Sequence, residues 1–206
     1  MSAEILHVTD PTAIDRAVAV IRRGGVVAIP TETFYGLAVD ATHRIATARI
    51  FEIKGRPATM ALPLVAASFE QVAGMIGPID ETTAKAAKAF WPGPLSLVLA
   101  STPLIATKES TIAVRVPGHD FVRALCARAG TLLTATSANK TGEPPASDAA
   151  TVAQAIGALD DLIVDGGATP GGLPSTIADL RGATPRLLRD GATPWPRIMA
   201  VLESKQ

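Results

Sequence analysis

Apolar runs of strand length alternate with segments of helical period along most of the chain. In segment 11–23, Ile14, Val18 and Ile21 fall on one face of a helix, and a pair of glycines follows it. The short apolar runs between such segments are typical of buried strands. The predicted strands cover 26–30, 36–41, 62–67, 95–101, 111–117, 131–137, 161–167, 175–180 and 186–191. Further helices are predicted over 42–54, 68–75, 80–90, 119–128 and 147–156, the last capped by Ser147, and a short one begins at Pro194.

The order of these elements indicates the fold class. Helices and strands are mixed throughout, but the last three predicted strands follow one another without a helix between them. This order favours an α/β fold with a mixed sheet over a strictly alternating parallel one. No internal repeat, low-complexity tract or linker interrupts the pattern. We therefore predict a single domain over 1–206, with a core of about 10–192 and a C-terminal tail or short helix over 193–206.

Composition restricts the partners of the chain. Lysine plus arginine and aspartate plus glutamate both number 19, so no net charge draws the chain to nucleic acid or membrane. Any anion site must then be a local concentration of positive charge. The one cysteine, Cys126, permits no intramolecular disulfide or cysteine-based zinc site, and we expect it to be a buried apolar residue. The N-terminal segment lacks the pattern of a signal peptide, so we expect a cytoplasmic protein without membrane association.

Several common signatures of chemistry are absent from the sequence. It has no Walker phosphate loop, no G-x-G-x-x-G after a strand and no G-x-S-x-G elbow, and its three histidines have no ligand spacing, so no metal site is predicted. Polar clusters instead follow six apolar runs or helices. Because ligands of open α/β sheets bind at strand ends, we expect these clusters to form the rim of one pocket. They are PTETFYG (30–36), KGRP (54–57), RVPGH (115–119), TSAN (136–139), PSTIAD (174–179) and LRDG (188–191).

Each cluster has a purely structural interpretation when it is taken alone. Lys54 ends a helix before Gly55 and could complement the helix dipole, and Ser137 and Asn139 could form a turn. Together, however, the clusters supply many donors and few carboxylates, a set suited to phosphate and carboxylate groups. No nucleophile with an adjacent base is evident. The residues therefore indicate a site that binds an anionic, nucleotide-like ligand and acts by positioning and charge stabilisation, without identifying the substrate.

The motifs PTETFYGLAVDA, KGRP, AVRVPGH, TSAN, G-x-PSTI-x-D and LRDGA occur in this order over nearly the whole chain. This series resembles the YrdC/TsaC-like family of L-threonylcarbamoyladenylate synthases. The resemblance implies a twisted mixed β-sheet flanked by helices around a deep, concave, positively charged cavity. It also implies a reaction in which L-threonine, bicarbonate and ATP, with Mg²⁺, give threonylcarbamoyl-AMP and pyrophosphate. That reaction is the first step of N6-threonylcarbamoyladenosine modification at position 37 of tRNA.

The resemblance further implies roles for individual residues and partners. Lys54 and Arg56 are the expected catalytic residues, which stabilise charge while a carbamate formed on threonine attacks the α-phosphorus of ATP. A downstream threonylcarbamoyl-transferase complex is an expected partner, and contact with tRNA or double-stranded RNA is possible. The expected threonine-binding residues are Thr33, Arg115 and Ser175. The expected ATP-binding residues are Lys54, Arg56, Thr111, Ser137, Asn139, Pro145 and Arg189.

Two departures from the family pattern keep alternatives open. Met60 stands where many relatives carry a polar or basic residue, and Val65 stands where they carry histidine. An inactive or RNA-binding paralogue therefore stays an alternative. Carbamoyl-adenylate chemistry, as in hydrogenase-maturation carbamoyltransferases, is another, although those proteins carry cysteine-rich zinc modules and this chain has one cysteine. The chain length indicates the short form of the family, without the second domain of longer relatives.

Overall fold

The structure of the chain is a computed structural model. It describes residues 3–55, 62–107, 109–156 and 161–204. Two residues of interest, Arg56 and Met60, lie outside these described residues. The described part contains seven helices. They are α1 (Ala13–Arg22), α2 (Arg44–Lys54), α3 (Phe69–Ile76), α4 (Glu81–Phe90), α5 (Asp120–Ala129), α6 (Ala149–Ile156) and α7 (Trp195–Glu203).

The strands of the described part form two sheets. One has five strands in the order β1-β9-β2-β3-β8, and the other has six in the order β11-β10-β5-β6-β4-β7. Both sheets combine parallel and antiparallel pairs, so the predicted mixed α/β class is confirmed, with two sheets in place of one. The strands are β1 (Glu4–His7), β2 (Val27–Ile29), β3 (Gly36–Ala38), β4 (Leu64–Val65), β5 (Leu95–Ala100), β6 (Thr111–Arg115), β7 (Leu133–Thr134), β8 (Thr136–Ser137), β9 (Leu162–Asp165), β10 (Thr176–Asp179) and β11 (Arg186–Arg189).

Segment 131–137, predicted as one strand, is divided between the two sheets. Its first part, β7, pairs with β4 in the six-stranded sheet, whereas its second part, β8, pairs with β3 in the five-stranded sheet. Between them, the N–H of Ala135 donates to the carbonyl of Pro63 at 2.8 Å. The chain thus crosses from one sheet to the other at Ala135, and this crossing brings the TSAN motif to the space between the sheets.

Two helix ends test the local signals in the sequence. Gly55 follows α2 with a φ of 60°, the left-handed conformation that glycine adopts without steric cost, as predicted for a residue just after a helix. The cap of α6 was predicted one residue too early. The Asp148 carboxylate accepts the N–H of Thr151 at 2.7 Å, while the carbonyl of Ser147 accepts the N–H of Thr169. Aspartate and serine cap helices about equally well, so the sequence does not distinguish them.

The five-stranded sheet is covered by helices on both faces. Val27 and Ile29 pack with α1 and α5 in one apolar cluster, whereas Ala28 between them packs with α2 and α6 in another. This is the arrangement of a strand buried on both sides, and it explains why the run 26–30 is apolar throughout. Cys126 of α5 is fully buried, as predicted, and burial raises the pKa of its thiol to about 12.

The C-terminal segment forms a packing helix. Ile198 of α7 joins a cluster with Ala86 of α4 and Leu97 of β5, and the Arg197 guanidinium lies 5.7 Å from the ring centroid of Phe90. The six-stranded sheet is therefore covered by α4 and α7 on this face. In the ranges that the structure describes, no helix is long and apolar enough to cross a membrane.

A buried carboxylate on β10 predicts how stability depends on pH. Asp179 accepts hydrogen bonds from Arg181 at 2.9 Å and from Arg186 at 2.6 Å. The hydrogen bonds from Arg181, with those from Arg186, hold the pKa of Asp179 well below its usual value, although burial acts in the opposite direction. The carboxylate therefore stabilises the fold above its unfolded pKa of about 3.9, and this contribution is lost as the pH falls towards the lower folded pKa.

We expect Asp179→Asn to reduce the free energy of unfolding at pH 7 by about 2 kcal/mol, because two arginines lose a charged acceptor. Urea unfolding of both proteins at pH 7 and pH 3 measures this effect, and the difference should shrink at pH 3. Asp15→Asn, which breaks an exposed pair with Arg128, is the control and should cost less than about 1 kcal/mol. An equal loss at both pH values would contradict a charge-based role.

Candidate active site

A cavity of about 640 Å³ opens between the two sheets. Strands β3 and β8 contribute to one side, and β6, β10 and β11 contribute to the other. Its volume lies within the range of about 300–1,000 Å³ that is usual for small-molecule sites. Of the ten residues predicted for the site, six line the cavity: Thr33, Arg115, Ser137, Pro145, Ser175 and Arg189.

The turn after β2 supplies two buried hydroxyl-bearing residues to the cavity wall. Thr31 Oγ1 donates to the carbonyl of Phe34 at 2.7 Å and lies 3.1 Å from Thr33 Oγ1. The carbonyl of Thr33 accepts the N–H of Gly171 at 3.0 Å, which joins this turn to the glycine-rich loop 166–174. This backbone hydrogen bond holds the glycine-rich loop against the turn that lines the cavity.

Tyr35 was not predicted as a site residue, yet it holds three loops together at the cavity wall. Its hydroxyl donates to the carbonyl of Gly167 at 2.8 Å and accepts the N–H of Gly166 at 3.0 Å. Its backbone N–H donates to Ala146 O, and its carbonyl accepts the N–H of Ala138. Burial raises the pKa of Tyr35, so the phenol stays protonated and remains a donor at neutral pH.

Lys54 lies behind the TSAN segment, and it is not among the residues that line the cavity. It is 3% exposed, and its Nζ donates to the carbonyls of Ser137 at 2.6 Å and Asn139 at 2.9 Å. The backbone carbonyl of Lys54 in turn accepts the N–H of Thr141. The ammonium therefore fixes the loop that carries Ser137, and its charge lies directly behind that residue. Asn139 is also held by this loop, where its Nδ2 donates to Glu143 O.

Arg115 ends β6 at the cavity wall, where it forms an ion pair with Glu32 of the PTET segment. The Arg115 side chain is 7% exposed and that of Glu32 is 19% exposed. Among the described residues, Glu32 is the only hydrogen-bond partner of the guanidinium, through Nη1. Burial, and to a smaller extent the charge of Arg189, lowers the pKa of Arg115 to about 10. A pKa of about 10 still leaves Arg115 charged at neutral pH.

Ser175 is held by an arginine from the neighbouring strand. Arg189 of β11 donates through Nε to the carbonyl of Ser175 and through Nη2 to its Oγ, both at 2.9 Å. Ser175 Oγ also lies 3.0 Å from Oγ of Ser96, a buried residue of β5. Burial lowers the pKa of Arg189, which contacts the predicted threonine-binding serine although Arg189 was predicted on the ATP side. The two predicted groups of residues therefore meet at Ser175.

The remaining predicted residues are not all at the cavity. Thr111 begins β6 and stands four residues before Arg115, so it lies at the far end of that strand and does not line the cavity. Arg56 falls outside the described residues. Val65 is fully buried in an apolar cluster, so it is a core residue in this chain. A second pocket of about 190 Å³ beside α2 contains none of the described predicted residues.

Comparison with known proteins identifies the family of the chain. A family model for Sua5, YciO and YrdC proteins, described as telomere recombination, matches residues 19–191. The chain belongs to the Sua5–YciO–YrdC family. A family member from Pyrococcus abyssi, named threonylcarbamoyl-AMP synthase, is 40% identical over 190 residues, which are 90% of this chain and 56% of the relative. This chain thus spans little more than half the length of that relative.

A relative of similar length and a solved structure extend the family comparison. The threonylcarbamoyl-AMP synthase of Halorhodospira halophila is 40% identical over 187 residues, which are 89% of this chain and 92% of the relative. The crystal structure of P. abyssi Sua5 complexed with L-threonine is 38% identical, with a TM-score of 0.90. The superposition covers 98% of this chain and 61% of that chain. The family assignment therefore rests on both sequence and fold.

Some residues at this site were not predicted from the sequence, among them Glu32, Tyr35 and Ser96. Glu32 and Tyr35 lie inside the PTETFYG motif, which was recognised as a motif although neither residue was given a role. Ser96 gave a weaker indication of a site residue, since the only signal was one polar residue in an otherwise apolar strand. In the described ranges, no three His, Cys, Asp or Glu side chains are placed to hold a metal ion.

Proposed function

We propose that this chain is an L-threonylcarbamoyladenylate synthase, which converts L-threonine, bicarbonate and ATP to threonylcarbamoyl-AMP and pyrophosphate. The observation that carries the proposal is the meeting of Arg115, Thr33 and Ser175 with Ser137 and Pro145 around one cavity of the family fold. The names of the relatives and the L-threonine complex of P. abyssi Sua5 support the same reaction.

The threonine end of the cavity is proposed to lie at Arg115. A guanidinium binds a carboxylate through two parallel hydrogen bonds, and the donors of Arg115 other than Nη1 have no partner among the described residues. The hydroxyls of Thr33 and Ser175 line the same cavity and are suited to the polar atoms of an amino acid. Arg189 holds Ser175 in place and adds a second positive charge.

The nucleotide end is proposed to lie at Ser137 and Pro145, with Lys54 behind them. The carbamate oxygen attacks the α-phosphorus of ATP, a new O–P bond forms, and the bond to the β-phosphate oxygen breaks to release pyrophosphate. Negative charge grows on the phosphates during this step, so nearby fixed positive charges lower the barrier. In this proposal Lys54 contributes its charge and the order of the loop, and Arg56 and Thr111 stay predicted ATP-binding residues.

Mg²⁺ is proposed to enter with the nucleotide. The ion is usually bound through one or two carboxylates together with substrate phosphates, rather than by a dedicated protein cage. The donors at this cavity are mainly arginine and hydroxyl groups, which suit phosphates. When bound, Mg²⁺ would neutralise phosphate charge, while the protein residues orient the triphosphate.

The proposal is tested by release of pyrophosphate from Mg-ATP with purified protein. We expect release that requires both L-threonine and bicarbonate, and that is far weaker with L-serine. Release without threonine would indicate other adenylate chemistry, such as carbamoyl-adenylate formation. Binding of ATP without turnover would indicate an inactive paralogue and would contradict the proposal.

The later steps and the cellular setting are also proposals. The product is expected to pass to a threonylcarbamoyl-transferase complex that modifies tRNA, because the adenylate is an activated intermediate. Direct contact with tRNA or double-stranded RNA stays a prediction of the family resemblance, and the balanced charge of 19 and 19 adds no global attraction to nucleic acid. A cytoplasmic location remains a prediction.

Gly191, in the LRDGA motif, gives a prediction that links backbone packing to the site. A Cβ at this position would lie 2.6 Å from Thr176 N and 2.7 Å from Ser175 C, which are backbone atoms. Gly191→Ala must therefore displace the segment that carries Ser175. We expect a loss of about 2 kcal/mol in stability and at least a 10-fold rise in the KM for threonine, measured by denaturant unfolding and by the pyrophosphate assay.

The control for this variant is Gly74→Ala in helix α3, where a Cβ would meet no atom within 4 Å. That change should leave the KM for threonine unaltered and should stabilise the helix by up to about 1 kcal/mol. An unaltered KM in Gly191→Ala would show that Ser175 is not held by close packing against Gly191.

A further inference from the structure

One carboxylate stands beside a cavity whose polar lining side chains are otherwise cations and hydroxyl groups. Glu32 pairs with Arg115 through Oε1, while its Oε2 is fully buried and has no hydrogen-bond partner among the described residues. Buried acceptors are nearly always satisfied in folded proteins, and an exception calls for an explanation. Here the unsatisfied atom is Oε2 of the carboxylate that pairs with Arg115, the proposed receptor for the substrate carboxylate.

The surroundings of Glu32 fix its position. Thr31 and Thr33, on either side of it, both line the cavity. On its other flank Gly118 has no side chain, and a Cβ there would lie 3.5 Å from Glu32 Cγ. The stem of Glu32 therefore lies between the PTET turn and the segment after β6, and its carboxylate ends at the Arg115 guanidinium.

The charges at this end of the cavity match a zwitterion. Arg115 and Arg189 are positive, and the charge of Arg189 acts on Arg115. Glu32 adds one negative charge to this pair. A site for a simple carboxylate or a phosphate would gain nothing from a carboxylate beside its receptor, because like charges repel. A ligand that carries a cation next to its own carboxylate would gain from it.

In an α-amino acid the ammonium group and the carboxylate are attached to the same carbon. A ligand whose carboxylate is held by the remaining donors of Arg115 therefore brings its ammonium close to the Glu32 carboxylate. The last torsion of a glutamate side chain is broad and two-fold, so a small rotation can turn either oxygen towards that group. An ammonium would give the unsatisfied oxygen a charge-assisted donor.

We propose that Glu32 receives the α-ammonium group of the amino-acid substrate and thereby selects α-amino acids over other carboxylic acids. The inference rests on the proposed function, because it takes Arg115 as the receptor for the carboxylate of the same ligand. It assigns Glu32 a binding role that is separate from the order it gives to Arg115.

The test compares two ligands on matched proteins. L-Threonine and (R)-3-hydroxybutyrate, which is threonine without its amine, are titrated calorimetrically into the wild-type chain, Glu32→Gln and Glu32→Asp. The exposed Glu70→Gln, in the first turn of α3, is the control. Thermal unfolding of every variant checks the fold. Glu32→Asp keeps the charge on a shorter side chain and keeps the test usable if the glutamine variant is unstable.

We expect the wild-type protein to prefer L-threonine, and Glu32→Gln to lose about 10- to 100-fold in threonine affinity. The affinity for (R)-3-hydroxybutyrate should stay within about threefold, because that ligand has no ammonium. Glu32→Asp should keep part of the preference, and Glu70→Gln should keep all of it.

Three results would overturn the inference while the proposed function stands. The first is an equal loss of affinity for both ligands in Glu32→Gln, which would mean that Glu32 only holds Arg115. The second is no loss of affinity for either ligand in Glu32→Gln. The third is equal affinity of the wild-type protein for the two ligands. If the wild-type protein binds neither ligand, the proposed threonine site itself is wrong, and the inference fails with it.

Discussion

Replacing Arg115 by glutamine is expected to reduce kcat/KM for L-threonine by about 100- to 1,000-fold, which corresponds to about 2.7–4.1 kcal/mol. The change removes the proposed receptor of the substrate carboxylate and leaves Glu32 as a partly buried carboxylate without its ion-pair partner. Truncating one member of such a charge pair commonly costs about 2–5 kcal/mol. Steady-state kinetics with saturating ATP measure the effect.

The effect of Arg115→Gln on the KM for each substrate is as informative as the size of the loss in kcat/KM. The KM for threonine should rise strongly while the KM for ATP changes little, because Arg115 is proposed to contact the amino acid. Arg128→Gln, on the exposed face of α5, is the matched control and should leave both constants unchanged. A similar loss for both substrates would mean that the variant has lost the shape of the cavity rather than one contact.

Lys54→Met should produce the second large effect, a loss of about 100-fold or more in kcat/KM for ATP. The carbonyls of Ser137 and Asn139 would lose a charged donor, and each lost bond of this kind costs about 1–3 kcal/mol. The loop behind the nucleotide end would then shift, and misplacement of about 1 Å can cost about 100-fold in rate. Kinetics at varied ATP and thermal unfolding together measure the two consequences.

Lys88→Met on the exposed face of α4 is the control for this change, since it removes an exposed lysine from a helix that packs against β5 and α7. It should leave the kinetics unaltered. If Lys54→Met kept activity within about threefold of the wild-type value while losing stability, the lysine would be structural only, and its proposed role at the phosphates would be wrong.

The elements with strong local signals could be predicted from the sequence. The uniformly apolar run 26–30 is a strand buried on both faces, and Gly55 ends α2 in the left-handed conformation expected of it. The clustering of polar residues after strands also predicted one pocket, and residues from five of the six clusters line the observed cavity. The strand and the helix end could be predicted because each of those two signals lies within a few neighbouring residues.

The features that escaped prediction depend on pairing between distant parts of the chain. β1 has a mixed pattern and mostly exposed side chains, and it is a strand because it pairs with β9 more than 150 residues later. The division of 131–137 arises because one half pairs with β4 and the other with β3. Neither partner could be identified from the apolar pattern of the segment itself.

The site illustrates the same limit. Lys54 was predicted to bind ATP from the family resemblance, and the fold shows that its ammonium also bonds carbonyls of residues 137 and 139. Arg115 was predicted only as a threonine-binding residue, and the fold also pairs it with Glu32 from a turn more than 80 residues earlier. The family resemblance indicated which side chains belong to the site, whereas the contacts between them required the fold.

The most direct test of the proposed reaction is to follow radiolabelled bicarbonate into the product. The protein would be incubated with Mg-ATP and labelled bicarbonate, with and without L-threonine, and the adenylates would be separated by chromatography. The account predicts a labelled adenylate that forms only with L-threonine and that contains threonine, phosphate and the labelled carbon in equal amounts. A labelled adenylate without threonine, or release of pyrophosphate without label in any adenylate, would contradict it.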